Sequence, residues 1–183
     1  MDDTRRAVSM DFKQVGDLIY IIGQTRNELG GSEYYALSGQ TGRNVPRVDA
    51  SVAKKLMESL SRAMAAGFVT ASHDLSEGGL GIALADMGFA GALGAEIDLA
   101  KVPADNFNRD DSILFSESNT RFLAEVRPEH QSQFERIMAG NDLGLIGKVT
   151  TGPSIKIIGL NGTEVVNLTV STLKEAWQRP LRW

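Results

Sequence analysis

The chain predicts an α/β (α+β) sandwich, a mixed β-sheet packed by helices. Three observations lead there. Short β-branched runs such as Asp17 to Ile22 alternate with helix-period segments such as Ala50 to Ala66. Asn161-Gly162 between two apolar runs announces a hairpin, so part of the sheet is antiparallel. The chain has 183 residues, 42% hydrophobic and 23% charged, enough to bury a sizeable core and ordinary for one globular domain.

In order, residues 1–16 read as an irregular lead-in to a single domain spanning 1–183. Asp17 to Ile22, closed by Gly23, predicts a buried strand. Ser32, after Gly30-Gly31, is a good N-cap for a short helix carrying Tyr34, Tyr35 and Leu37. Gln40 to Pro46 carries loop breakers. Asp49 then caps the clearest helix, Ala50 to Ala66, whose Val52, Leu56, Leu60, Ala63 and Met64 share one face, with Gly67 as its C′ residue. Phe68 to Ser72 predicts a short strand and Leu80 to Met87 a small-residue helix.

Gly94 to Leu99 alternates and predicts an edge strand, followed by a loop from Val102 through Asp111. Ile113 to Val126 reads as an apolar segment, a polar turn holding Glu117 and Ser118, and a strand from Arg121. Pro128 suits the first turn of a helix reaching Met138. Leu143 to Val149, Ile155 to Leu160 and Thr163 to Leu168 predict strands, the last two joined by a type I′ turn at Asn161-Gly162. Thr172-x-x-Glu175 reads as a capping box opening a C-terminal helix.

Composition narrows the function classes. Net charge is −4 with no basic block, which argues against nucleic acid as a partner. The apolar runs are too short to span a bilayer and the N-terminus lacks a signal peptide's apolar core. Without cysteine there is no disulfide or thiolate chemistry, which fits the cytoplasm.

The chemistry concentrates at His73-Asp74-Leu75-Ser76-Glu77-Gly78-Gly79-Leu80, between a predicted strand and a predicted helix. Unpaired N–H groups at a helix start attract phosphate, and glycines let a ligand approach the backbone. Asp74 and Ser76 are candidate metal and phosphate contacts; the plainer alternative has them cap the helix while Gly78-Gly79 only make the turn. His73 is the only histidine near this chemistry, and no second histidine, cysteine or carboxylate cluster supports a zinc or di-iron site. No catalytic residue is assigned.

That segment, with Leu114-Phe115-Ser116-Glu117-Ser118 and Arg121-Phe122, resembles the signatures of the AIR-synthase-related C-terminal domain family, whose fold is the PurM C-terminal-domain-like sandwich. Adding Phe12-Lys13 to Tyr20, Gly30-Gly31-Ser32-Glu33-Tyr34 and Leu173 to Trp177, nearly the whole chain is similar to the last domain of the phosphoribosylformylglycinamidine synthases of purine biosynthesis. The resemblance implies a fragment of an ATP- and glutamine-dependent ligase that converts formylglycinamide ribonucleotide to the amidine. Its active-site histidines and most nucleotide ligands would lie in ATP-binding N-terminal domains outside this chain, leaving the fragment inactive alone.

By the same resemblance, Asp74 would bind Mg²⁺ while Ser76, Gly78 and Gly79 contribute to an auxiliary ATP site. Asn119 stands where the first repeat of the family usually has glutamine, which argues against substrate contact by Glu117 and Ser118. Implied partners are those ATP-binding domains, a glutaminase subunit and a small accessory subunit. The alternatives are the equivalent domain of a selenophosphate-synthetase or thiamine-phosphate-kinase type phosphotransferase, or a scaffolding and dimerising domain.

Overall fold

The computed structural model describes residue 4 and residues 7–105 and 109–181. Most of the predicted lead-in is thus described; the rest of it, and the stretch 106–108 of the predicted loop, lie outside the described residues. The strands are β1 (Leu18–Ile22), β2 (Ala71–Asp74), β3 (Gly94–Asp98), β4 (Phe122–Val126), β5 (Leu143–Thr150), β6 (Ser154–Ile158) and β7 (Glu164–Thr169). The helices are α1 (Glu33–Ala36), α2 (Ala50–Ala65), α3 (Gly79–Gly91), α4 (Asp110–Phe115), α5 (Gln131–Met138) and α6 (Val170–Gln178). One sheet runs β2-β4-β1-β5-β3-β6-β7, antiparallel throughout except for the parallel β3–β6 pair.

The alternation of β1 divides the interior. Ile19 and Ile21 face a core shared with Leu80, Leu84 and Met87 of α3 and Ile113 and Leu114 of α4. Tyr20 and Ile22 face a second core with Leu56, Leu60 and Ala63 of α2 and Phe134 and Met138 of α5. Successive side chains of a strand point to opposite faces, so a strand buried on both sides reads as an unbroken apolar run. The mixed sheet packed by helices is the fold class the sequence predicts.

Four local expectations change. β3 is interior rather than an edge, because β6 pairs with it in parallel. The loop expected through Asp111 gives way to α4 at Asp110. In the β6–β7 hairpin only Gly162 has positive φ (74°), and Gly162 N–H donates to Gly159 O (2.9 Å). The turn is therefore not type I′, which needs two left-handed residues, but a tight turn closed by a left-handed glycine, with a register shift between Ile157 and Ile158. Finally, α6 is capped by Thr169, whose side chain accepts from Thr172 N–H, three residues earlier than expected.

Candidate functional site

β2 ends at Asp74 and α3 starts at Gly79, so the motif folds as a strand end, a turn and a helix start. The expected strand lies further along the chain, and His73 and Asp74 are its last residues. Asp74 pairs with Phe122 of β4, which aims its side chain outward. The Asp74 side chain is 61% exposed and lines an open groove of about 960 Å³. Ser76 lines the same groove and its hydroxyl donates to Asp74 Oδ2 (3.1 Å). Met10, Met57, Leu60 and Met64 give the groove an apolar part of its lining, and Asn119 and Thr120 line it as well.

His73 bridges two carboxylates. Its Nδ1 lies 3.3 Å from Asp74 Oδ1 and its Nε2 lies 3.4 Å from Asp86 Oδ2 of α3. The hydrogen bond to Asp86 lifts the imidazole pKa above its usual value; the Asp74 charge adds to this and burial opposes it. Asp86 Oδ1 is buried with no hydrogen-bond partner among the described residues. His73 thus sits between two acids, which favour its protonated form, and braces the Asp74 carboxylate.

Gly78 and Gly79 stand apart from the groove wall. Gly78 caps α3 in the left-handed region (φ 75°), and its N–H donates to Glu117 Oε1 (2.8 Å). The same oxygen accepts from Glu33 N–H at the start of α1 (3.1 Å). Gly79 N–H donates to Ser76 O (3.0 Å), and a Cβ at Gly79 would strike the backbone of Leu114 and Ser116. The anion seat expected at this helix start is thus held by the chain's own Glu117, which bridges two helix N-termini.

Arg121 holds that turn in place. It is fully buried; its Nε donates to Ser118 O (2.9 Å), its Nη1 to Thr25 Oγ1 (3.0 Å) and its Nη2 to Ser116 O. Burial lowers its pKa to about 10, with Glu28 and Glu117 pulling it back. Nothing in the local sequence marks Arg121 as buried, because its partners lie up to 96 residues away.

The side chains with metal-binding oxygens or nitrogens along the groove include the carboxylates of Asp74 and Glu117, the His73 imidazole and the hydroxyls of Ser61, Ser72, Ser76 and Thr120, and Glu117 Oε1 is already taken by the N–H groups of Gly78 and Glu33. No group of three acidic, histidine or cysteine side chains is placed to hold a metal ion among the described residues. These residues do not make a Mg²⁺ shell by themselves, since that ion demands six near-octahedral ligands.

A fold of this kind is shared with known proteins. The family model for AIR synthase related protein, C-terminal domain, matches residues 14–159, and the chain belongs to that family. Among curated relatives it is similar to the phosphoribosylformylglycinamidine synthase subunit PurL of Alkaliphilus metalliredigens, with 34% identity over 100% of this chain and 24% of the relative. The PurL subunit of Thermococcus sibiricus is 37% identical over 91% of this chain and 23% of its own length. The chain thus spans about a quarter of these relatives.

Among solved structures, phosphoribosylformylglycinamidine synthase II of Thermotoga maritima superposes with a TM-score of 0.80 at 23% identity, over 93% of this chain and 28% of that one. The same organism's PurL complexed with ATP gives 0.75 at 24% identity, over 93% and 27%. HypE of E. coli, a hydrogenase maturation protein, gives 0.66 at 17% identity, over 90% and 52%. At these identities the structures show a common fold. Among the described residues no helix is long and apolar enough to cross a membrane.

Proposed function

We propose that this chain is the last domain of a phosphoribosylformylglycinamidine synthase synthetase subunit and forms one wall of an auxiliary nucleotide pocket. The whole enzyme would use ATP and glutamine to convert formylglycinamide ribonucleotide to the amidine, with the chemistry carried by domains beyond this one. The names of the relatives support this reading over a phosphotransferase or a pure scaffold. A glutaminase and a small accessory subunit are the proposed partners, and the cytoplasm the proposed compartment. A PurLQS complex of Thermotoga maritima shares the fold at TM-score 0.79, which is consistent with such an assembly.

One observation carries the pocket: Asp74 is braced by His73 and Ser76 yet left open on a groove with a partly apolar lining. A carboxylate so placed takes one position on a metal–phosphate pair whose other ligands come from elsewhere, and the methionines offer a surface to a base. Ser76 would contact the phosphates. Gly78 and Gly79 would shape the turn, with a phosphate reaching Gly78 N–H only by displacing Glu117.

Calorimetric titration of the chain with Mg-ATP tests this. Expected is weak binding, in the millimolar range, lost in Asp74→Ala and weakened in Ser76→Ala, with no phosphate release. Turnover in a clean preparation, or an isotherm unchanged in Asp74→Ala, would refute the assignment.

A further inference from the structure

Among the described residues two that are not glycine have positive φ, Ala92 (54°) and Thr120 (62°). Ala92 closes α3, where a left-handed residue is a common end to a helix, and its N–H donates to Gly88 O. Thr120 lies between a helix and a strand: α4 stops at Phe115 and β4 starts at Phe122. A β-branched side chain suits the left-handed region worst, and glycine or asparagine would hold the same backbone with less strain. A residue kept there at a cost to stability points to what its side chain does.

The surroundings dictate that backbone. Ser118 is fully buried, and its hydroxyl accepts from Arg26 N–H (3.0 Å). Arg121 is anchored by its guanidinium to Ser118 O and Thr25 Oγ1. Leu75 N–H donates to Arg121 O (3.0 Å), which extends the β2–β4 pairing one step past Asp74 and Phe122. A Cβ at Gly23 would strike Thr120 O, so the two backbones are pressed together. These contacts hold the main chain and make no use of the Thr120 side chain. Thr120 lines the groove with Asp74 and Ser76, and its hydroxyl has no hydrogen-bond partner among the described residues. One further step in the β2–β4 register sets Thr120 across from Ser76, whose own hydroxyl reaches Asp74 Oδ2 (3.1 Å).

We propose that Thr120 is a ligand-contacting residue of this groove, its hydroxyl donating to a phosphate oxygen of the nucleotide that Asp74 and Ser76 hold. This role rests on the nucleotide reading of the groove and adds to it a donor from the opposite strand. A hydroxyl set across from Ser76 meets the same charged group, and a hydrogen bond to a charged oxygen is stronger than one to a neutral oxygen.

The test pairs urea unfolding with an NMR titration of Mg-ATP, on the parent chain and on Thr120→Gly, Thr120→Val and Thr120→Ser. Thr120→Gly should raise the urea midpoint, with the unfolding equilibrium constant down about fivefold, because the strain is relieved. The same variant should bind Mg-ATP about fivefold or more weakly. Thr120→Val keeps the branched side chain and loses the hydroxyl, so it should weaken binding by the same factor without the gain in midpoint. Thr120→Ser keeps the hydroxyl and should bind as the parent chain does. A residue of structural importance alone would move stability and affinity in the same direction. Binding lost in Asp74→Ala but unchanged in Thr120→Gly and Thr120→Val would overturn this role and leave the nucleotide reading standing. A lower urea midpoint in Thr120→Gly would also overturn it, since the side chain would then be part of the packing. An isotherm unchanged in Asp74→Ala would remove the nucleotide reading, and the role of Thr120 with it.

Discussion

At the residue scale the least ordinary group is Glu125, fully buried in the middle of β4. Its carboxylate accepts from Lys13 N–H (2.9 Å) and Gln14 N–H (3.0 Å), fastening the segment ahead of β1. Asp17, also buried, is the nearby acid, and Thr70 Oγ1 donates to it (3.4 Å). Burial, with Asp17 adding to it, pushes Glu125 from 4.5 to about 7, against the pull of the two N–H groups. A folded-state pKa above the unfolded one means that the folded chain holds a proton the unfolded chain has released. Stability from this group is therefore intact below about pH 4.5, falls as pH rises towards about 7, and stays reduced above that. Glu125→Gln keeps an acceptor for the N–H groups and offers Asp17 a donor. Its urea midpoint should exceed that of the parent chain near pH 8 and match it near pH 4. An equal offset at both would disprove the linkage.

At the element scale, legibility follows the range of the interactions. α2 could be read from the sequence because its cap and its period are local: Asp49 accepts from the first helical amides, and Leu56, Leu60 and Ala63 recur on the buried side. The interior place of β3 could not, since its parallel partner β6 comes some sixty residues later in the chain. α4, at 6 residues, is too short to show a period. The site divides the same way. Asp74 and Ser76 were legible as a strand-to-helix turn, whereas the seating of Glu117 on Gly78 and the buried Arg121 depend on contacts across the fold. For α6 the misread cap gives a direct test. Thr169→Ala removes the acceptor of Thr172 N–H (3.1 Å) and should cost about 1 kcal/mol, whereas Thr172→Ala removes a hydroxyl contact and should cost under about 0.5 kcal/mol. Urea unfolding with both variants decides it; the reverse order would restore the cap at Thr172.

At the scale of the whole molecule, two cores share one sheet. The α3–α4 core and the α2–α5 core lie on opposite faces of the strands between them, with β1 and β4 giving alternate side chains to each: Leu123 to the first, Ala124 and Val126 to the second. Loss of either core exposes the apolar face that both central strands present to it, and that exposed area opposes the other core's standing alone. The chain should therefore unfold as one cooperative unit. Leu84→Ala, in the first core, and Leu56→Ala, in the second, are both fully buried sites and should each lower stability by about 2–5 kcal/mol. The Tyr20 ring packs tilted on Phe134 at 4.9 Å in the second core, while Phe89 of α3 packs on Trp177 at 5.5 Å on the side of the first, so near-UV dichroism reports aromatic packing on both sides and far-UV dichroism the backbone. In each variant the two signals should move to lower urea together, with a single midpoint. If either variant gave the near-UV signal two midpoints, or separated it from the far-UV transition, the two halves would be separate folding units and the sheet would not couple them.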